Sequence, residues 1–405
     1  MPFIKKNNKI TLVRKICYGD IMRDEAIITP SVLRWARESI RISLADAAQD
    51  SGYQVTTIQQ WEEGQRKISM AQLRILAKIY KLAITTFYLP EPPAITRRTL
   101  IDRRILPGTG DILSPELQLL IDSLEIKQGW LSQFIKDSNR ARIAIGPFDI
   151  RTPIDNVVSD IKAKLRINIV EQIATKEPRE ALNLWIEKAE SFGINIVSKS
   201  SGLALDEFRA FVLYDDYAPF ICLNSKDTPA ARLFSLCHEM THLWLKESVL
   251  SNKETYETND RVEAFCNEVA SRLLIEDAIL LSLWRDVNPS LELSDKVKRI
   301  ANKFSVSEEV VARCLNKKNK ISREEYQELR SFYAARWAQI ENTRTRSKGG
   351  PVYSLKMVLE NGRYFSRQVL SQYDRGTLYG AEASRLLGVK INHFGSLKDH
   401  LPPFV

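Results

Sequence analysis

No stretch of this 405-residue sequence approaches the roughly eighteen consecutive apolar residues that a membrane-spanning helix needs. The opening segment, MPFIKKNNKITLVRKICYGD, is basic, but it lacks a long apolar core and a small-residue cleavage site, so it does not read as a secretory signal. Cysteine is scarce. Cys17, Cys222, Cys237, Cys266 and Cys314 form no CxxC pair, and an odd, scattered set gives no disulfide framework. These absences point to a cytoplasmic, reducing location. There is no low-complexity tract, and no internal repeat is expected.

The length exceeds what one compact core serves, so two or three domains are expected. The net charge of +9 admits a polyanionic partner without specifying one. Some of the excess lies in an N-terminal basic arm (Lys5, Lys6, Lys9, Arg14, Lys15), where a solvated terminus and phosphate contact are equally good readings.

Residues 27–90 read as short helices at close spacing. Pro30 opens one, Gly52 stops the next, and Val55, Ile58 and Trp61 make the apolar stripe of a third that ends at Gly64. Leu73, Leu76 and Tyr80 mark a fourth, and the prolines of LPEPP end the unit. A basic connector (Arg97, Arg98, Arg103, Arg104) and an amphipathic helix around Leu117–Leu124 follow. INIV, AFVLYD and PFICLN are β-branched or aromatic runs, read as strands of a small antiparallel sheet. Helices are expected at 229–246 and 260–274 and again to about 345, then a last unit of strands and helices.

Chemistry concentrates in Cys237-His238-Glu239-Met240-Thr241-His242. With four histidines in the whole chain, an H-E-x-x-H string is unlikely to be accidental. Thr228 can cap the helix and Pro229 suits its first position. Helical geometry puts His238 and His242 one turn apart on an inward face, where both imidazoles reach a single cation. Glu239 is rotated about 100° from His238, off the metal and beside its water, where a general base belongs. The bland alternative is a core helix with two hydrogen-bonded histidines; the paired imidazoles with their Glu outweigh it.

A tetrahedral site needs a further protein ligand. On the next helix Glu263 is the leading candidate, with Thr258 or Asn259 as cap, while Glu257 and Glu268 compete and a solvated first-turn Glu is the plain reading. Asn267, one turn beyond, can hydrogen-bond a ligand's outer atom. Tyr256, Arg261, His393 and His400 are the available oxyanion donors, and spacing does not choose among them. Cys237 and Cys266 flank ligands but suit small buried hydrophobes.

NSKDTPAARLFSLCHEMTHLWL followed by VEAFCNEVASRLL resembles the ImmA/IrrE metallopeptidase family, through Asn224, Arg232, Phe234, His238, Glu239, His242, Glu263, Asn267, Ala270, Leu273 and Leu274. The resemblance implies zinc held by His238, His242 and Glu263, with Glu239 as general base, in a regulatory protease that cleaves a repressor. Thr241 stands where the family usually has Gly, and Ile275–Glu276 where it has Met–Pro. Neither touches a proposed ligand.

SLADAAQDSGYQVTTIQQWEEG resembles the second and third helices of an XRE-type helix-turn-helix, through Ala48, Gly52, Ile58, Trp61 and Glu62 to Gly64. The resemblance aims Gln54, Thr56, Thr57, Gln59 and Gln60 at base edges and Arg66 and Lys67 at phosphate. Against it, Glu62 and Glu63 would repel phosphate and the recognition helix has no Lys or Arg, so a protein-docking module is the rival. Gly380 to Val389 has the pattern of half a helix-turn-helix, but a C-terminal packing element is expected there.

The expected architecture is α+β and predominantly helical. It runs from a basic arm (1–25) through a helix-turn-helix domain (26–93) and a helical connector (94–150) to a zincin-like metallopeptidase core with a small sheet (151–280). A helical region (281–345) and a C-terminal domain (346–405) complete it. The expected function is a zinc-dependent regulatory endopeptidase whose N-terminal domain holds double-stranded DNA near a DNA-bound repressor substrate, without membrane contact; a homodimer is left open. The competing reading is a transcriptional repressor or antitoxin-like regulator with a structural or vestigial metal site. Retention of Glu239 argues against it, since a structural ion needs no base.

Overall fold

The computed structural model describes residues 25–39, 42–80, 82, 84–92, 101–102, 114–146, 148–200, 202–205, 207–246, 249–251, 261–343 and 352–401. The N-terminal arm, Arg97, Arg98, Arg103, Arg104, Tyr256, Glu257, Thr258 and Asn259 lie outside the described residues. The chain divides into two compact units, Met1–Arg98 with Ile112–Leu119, and Thr99–Asp111 with Leu120–Val405.

In the first unit, α1 (Pro30–Ser39) begins at its proline, and α2 (Leu44–Ser51) is capped by Ser43, which accepts from the Asp46 amide. Gly52 ends α2 in the left-handed region (φ 73°), a conformation that suits glycine. α3 (Val55–Glu62) follows, and α4 (Met70–Ile79) starts from a Ser69/Gln72 capping box. The two-residue strands β1 (Glu25–Ala26) and β2 (Ile68–Ser69) pair antiparallel. Leu33, Ala47, Ile58, Trp61, Leu73, Leu76 and Phe87 fill the core; of the stripe expected on α3, Ile58 and Trp61 are buried, but Val55 in its first turn is exposed.

The second unit runs β3 (Ile101–Asp102), α5 (Pro115–Asp137) from Leu120 onward, α6 (Ile154–Leu165), α7 (Ile169–Ile173) and α8 (Pro178–Phe192). Next come β4 (Asn195–Ser198), β5 (Ala210–Leu213), β6 (Phe220–Leu223), α9 (Pro229–Trp244), β7 (Val249–Ser251) and α10 (Arg261–Leu274). Then follow α11 (Asp277–Asp286), α12 (Leu293–Phe304), α13 (Glu308–Lys317) and α14 (Arg323–Thr343). The last helices are α15 (Tyr353–Asn361), α16 (Arg363–Asp374), α17 (Gly380–Leu387) and α18 (Phe394–Lys398).

The strands form a sheet in the order β3-β7-β5-β6-β4, and it is mixed, not antiparallel as expected. β5 and β6 make a hairpin, so β6 runs in the direction of β4; because β4 pairs with β6 and not with β5, that pair is parallel. The second correction concerns the C-terminal unit, whose described residues are helical without a strand. Its apolar residues follow the helical period, with Val358, Phe365, Val369 and Leu370 buried.

Along β5 and β6 the side chains alternate between two cores. Ala210, Val212, Ile221 and Leu223 join Trp185 of α8, Leu233, Leu236 and Met240 of α9, and Val269 and Leu273 of α10. On the other face Phe220 packs against Phe365 of α16, which meets Trp130 of α5. Gln128 on α5 donates to the carbonyls of Leu213 and Ala218 at 2.8 and 3.0 Å. α15 and α16 cover β4. There Gly362 (φ 84°) lies so near β4 that an added Cβ would stand 3.1 Å from the Ile196 carbonyl.

The site-bearing helices are locked by a buried polar knot. Gln172 on α7 is fully buried and donates to the carbonyls of Leu274 (3.0 Å) and Phe304 (2.6 Å), while its Oε1 accepts from Trp185 Nε1 at 2.9 Å. Every partner of that amide is satisfied, so it fixes the end of α10 against α8 and α12.

Candidate functional site

α9 begins where Thr228 Oγ1 accepts from the Ala231 amide, with Pro229 in the first turn. Its N-terminal approach is shaped by Asn224, which donates to the Phe208 carbonyl (3.0 Å) and accepts from the Lys226 amide (3.0 Å). From Leu236 to Trp244 every residue of the helix is buried, because α8, α10, β5 and β6 enclose it. Two imidazoles and a carboxylate in such a setting require partners.

The partners are one another. His238 Nε2 and His242 Nε2 lie 3.2 Å apart, and each is 3.2 Å from an oxygen of Glu263 on α10. His238, His242 and Glu263 are the group of donors that could hold a metal ion among the described residues. Burial alone would raise the Glu263 carboxyl; when the facing imidazole nitrogens carry protons, their hydrogen bonds and charges hold it well below its ordinary value instead.

The outer ring atoms face different neighbours. Asn267 Oδ1 lies 3.0 Å from His238 Nδ1; an amide oxygen accepts, so the ring proton belongs on Nδ1 and leaves Nε2 with its lone pair toward the cluster. His242 Nδ1 lies 3.7 Å from Cys266 Sγ. Burial pushes that thiol up, and the Cys237 thiol likewise, as suits small buried groups.

Glu239 is fully buried beside His238. Thr241, where the resembled family has Gly, is also fully buried, and its hydroxyl bonds back to the Cys237 carbonyl at 3.0 Å. Of the competing acids, Glu268 is drawn to Arg272 (3.1 Å) and Lys317. Glu257 lies outside the described residues. Arg261 is exposed, His393 packs edge-on against Tyr353, and His400 Nε2 is 2.9 Å from Ser354 Oγ.

Two residues that brace the helices of the site carried no weight in the sequence. Arg313 of α13 is buried, stacks its guanidinium 5.3 Å above Phe234 and donates to Ser271 Oγ, whose own hydroxyl bonds the Asn267 carbonyl. Ser198, at the end of β4, meets Arg232 Nη2 at 2.5 Å. Neither belongs to a spacing pattern; only the fold brings them in.

In the first unit the exposed side of α3 presents Thr56, Gln59 and Gln60, with Thr57 half-buried. Gln54 stands just outside the helix at its N-cap, and Gln59 Nε2 bonds Glu63 at 2.8 Å. Arg66 is exposed, and Lys67 is 2.8 Å from Glu25 in an exposed pair of little energetic weight. Glu62 does not point at a phosphate. It is buried and accepts a two-pronged bond from Arg37, Nε at 2.7 Å and Nη2 at 2.8 Å, so its charge is cancelled inside the unit.

Comparison with protein-family models matches residues 189–316 to the IrrE N-terminal-like domain, a peptidase family, and residues 33–87 to a helix-turn-helix. No match was found among curated proteins or among solved structures. No helix among the described residues is long and apolar enough to cross a membrane. The chain therefore carries an IrrE N-terminal-like metallopeptidase domain behind an XRE-type helix-turn-helix domain.

Proposed function

We propose that the chain is a zinc-dependent endopeptidase that makes limited cuts in a DNA-bound regulatory protein. The observation that carries this reading is that His238 Nε2 and His242 Nε2 lie 3.2 Å apart and each lies 3.2 Å from its own oxygen of Glu263, Oε2 and Oε1 in turn. Ligands on a tetrahedral zinc at about 2.0–2.1 Å stand about 3.3–3.4 Å from one another. Three donors at that spacing, with His238 already in the tautomer that frees Nε2, fit such an ion. When bound, zinc supplies a Lewis acid for the scissile carbonyl and lowers the pKa of its water.

The remaining work falls to the chain. Glu239, dry and adjacent to the first ligand, takes the proton of the attacking water and returns it to the leaving amine. Asn267 holds the His238 ring in register. The helix-turn-helix domain binds double-stranded DNA through Gln54, Thr56, Thr57, Gln59 and Gln60, with Arg66 and Lys67 on phosphate, which raises the effective concentration of a substrate bound at the same operator.

The test compares wild type with Glu239→Gln in parallel assays of repressor cleavage, zinc content and operator binding. The enzyme reading expects cleavage to stop while zinc and DNA binding persist. Zinc-loaded wild type that cuts no repressor would favour a regulator whose metal site is structural.

A further inference from the structure

The sequence shows no repeat, yet the backbone contains one. α2 begins at Leu44, Gly52 follows it in the left-handed region, and α3 opens at Val55. α17 begins at Gly380, Gly388 follows it in the left-handed region, and a helical segment opens at Ile391 and runs through α18 to Lys398. Each landmark recurs 336 residues later, as the pairs 44 and 380 and 52 and 388 show.

The likeness extends to the torsions. Gly52 has φ 73°, ψ 12° and Gly388 φ 66°, ψ 25°, and each glycine amide donates to the carbonyl four residues back, of Ala48 and Ser384. The residue before the next helical segment is extended in both, Gln54 at φ −75°, ψ 145° and Lys390 at φ −71°, ψ 150°.

The core follows the same register. Ala47, Ile58 and Trp61 are buried, and so are their counterparts Ala383, Phe394 and Leu397. α16 occupies the place of the first helix: it packs on α17 and α18, and Tyr373 meets Phe394 edge-on at 5.0 Å. An ion pair between the first and third helices also occurs in both, buried in one and exposed in the other, with its first-helix member one position out of register. Arg37 of α1 holds Glu62 of α3, while Asp374 of α16 holds Lys398 of α18 at 2.6 Å. Positions 62 and 398 are counterparts in the register.

We propose that α16, α17 and the segment from Ile391 to Lys398 form a second helix-turn-helix, and that it binds double-stranded DNA. The positions that correspond to Gln54, Thr56, Thr57, Gln59 and Gln60 carry Lys390, Asn392, His393, Gly395 and Ser396. All but the half-buried His393 are exposed. Asn is a hydrogen-bonding partner for adenine, and Lys390 with the exposed Arg385 supplies cations for phosphate. α3 has no cation at all, whereas its C-terminal counterpart is preceded by the exposed Lys390. Residues 352–401 hold seven Lys and Arg against four Asp and Glu, a balance that suits a polyanion better than an acidic peptide. The packing role expected of Gly380 to Val389 is compatible with this: α17 buries Ala383, Leu386 and Leu387 and packs on α16, which covers β4.

The experiment uses the full chain and random-sequence DNA duplexes over a salt series. Thr56→Glu with Gln60→Glu disables the first recognition helix, and the C-terminal face is then varied at Gly395, where an added Cβ would meet nothing within 4 Å. The expected results are residual salt-dependent binding in the disabled chain, its loss with Gly395→Glu, and a severalfold gain with Gly395→Arg. Lys390→Gln lowers the slope of log affinity against log salt by about one. Equal affinity and slope in the two Gly395 variants, with unchanged melting temperatures, would overturn the proposal, as would a protein partner lost with Gly395→Glu while duplex binding stays the same.

Discussion

At the scale of single residues the centre is only partly legible from sequence. His238 and His242 announce themselves because four residues make nearly one helical turn, and geometry does the rest. Glu263 does not: Glu268 has the same chemistry on the same helix, and only the salt bridges to Arg272 and Lys317 withdraw it. Asn267 was readable as a helper of some ligand but not of which one. Since its oxygen fixes the His238 tautomer, Asn267→Leu is expected to weaken zinc binding about 10–100-fold, measured by competition with a chelating dye. Glu62 shows the opposite failure. Written in a line it is an acid beside a DNA-reading helix; folded, it is enclosed with Arg37, because long-range pairing is invisible to local pattern. Arg37→Ala would strand that buried carboxylate and is expected to destabilise the first unit by about 3–5 kcal/mol, read from chemical denaturation of the full chain by hydrogen exchange.

At the scale of elements, helices with clear caps and apolar stripes were readable, from α1 to α4 and again at α9 and α10. β4, β5 and β6 were readable as strands, but the short β3 and β7 were not, nor was strand direction, which depends on where the chain crosses before it pairs. The junction between α8 and α16 shows what neither capping rules nor periodicity could foresee. Glu190 of α8 accepts from the Arg363 amide at 2.9 Å and so caps α16 from a distant part of the chain. Burial raises its carboxyl from 4.5 to about 7 against the opposing pull of the Arg363 and Arg367 guanidinia and the Arg363 and Tyr364 amides. The folded state therefore holds a proton that the unfolded chain has released between those two pH values, so stability falls as pH rises through that window. Thermal melting at pH values on either side should show a lower midpoint on the alkaline side, and Glu190→Gln should flatten the difference.

At the scale of the whole molecule, a metallopeptidase domain and a helix-turn-helix domain belong to separate compact units, and each has its own core. Stripping divalent metal with a chelator is expected to end cleavage and lower the melting temperature of the second unit, since an ion that binds the folded state alone stabilises it. Duplex binding by the first unit should persist under the same treatment, as measured by fluorescence anisotropy. The close seat of Gly362 against Ile196 and the contact of Phe220 with Phe365 bear on how the catalytic region can be handled. The family match stops at residue 316, but the far side of its sheet is roofed by α5 and by helices after residue 352. A fragment trimmed to the matched stretch would leave greasy strands bare to water and should clump, so anyone hoping to isolate the protease must keep the chain on both flanks.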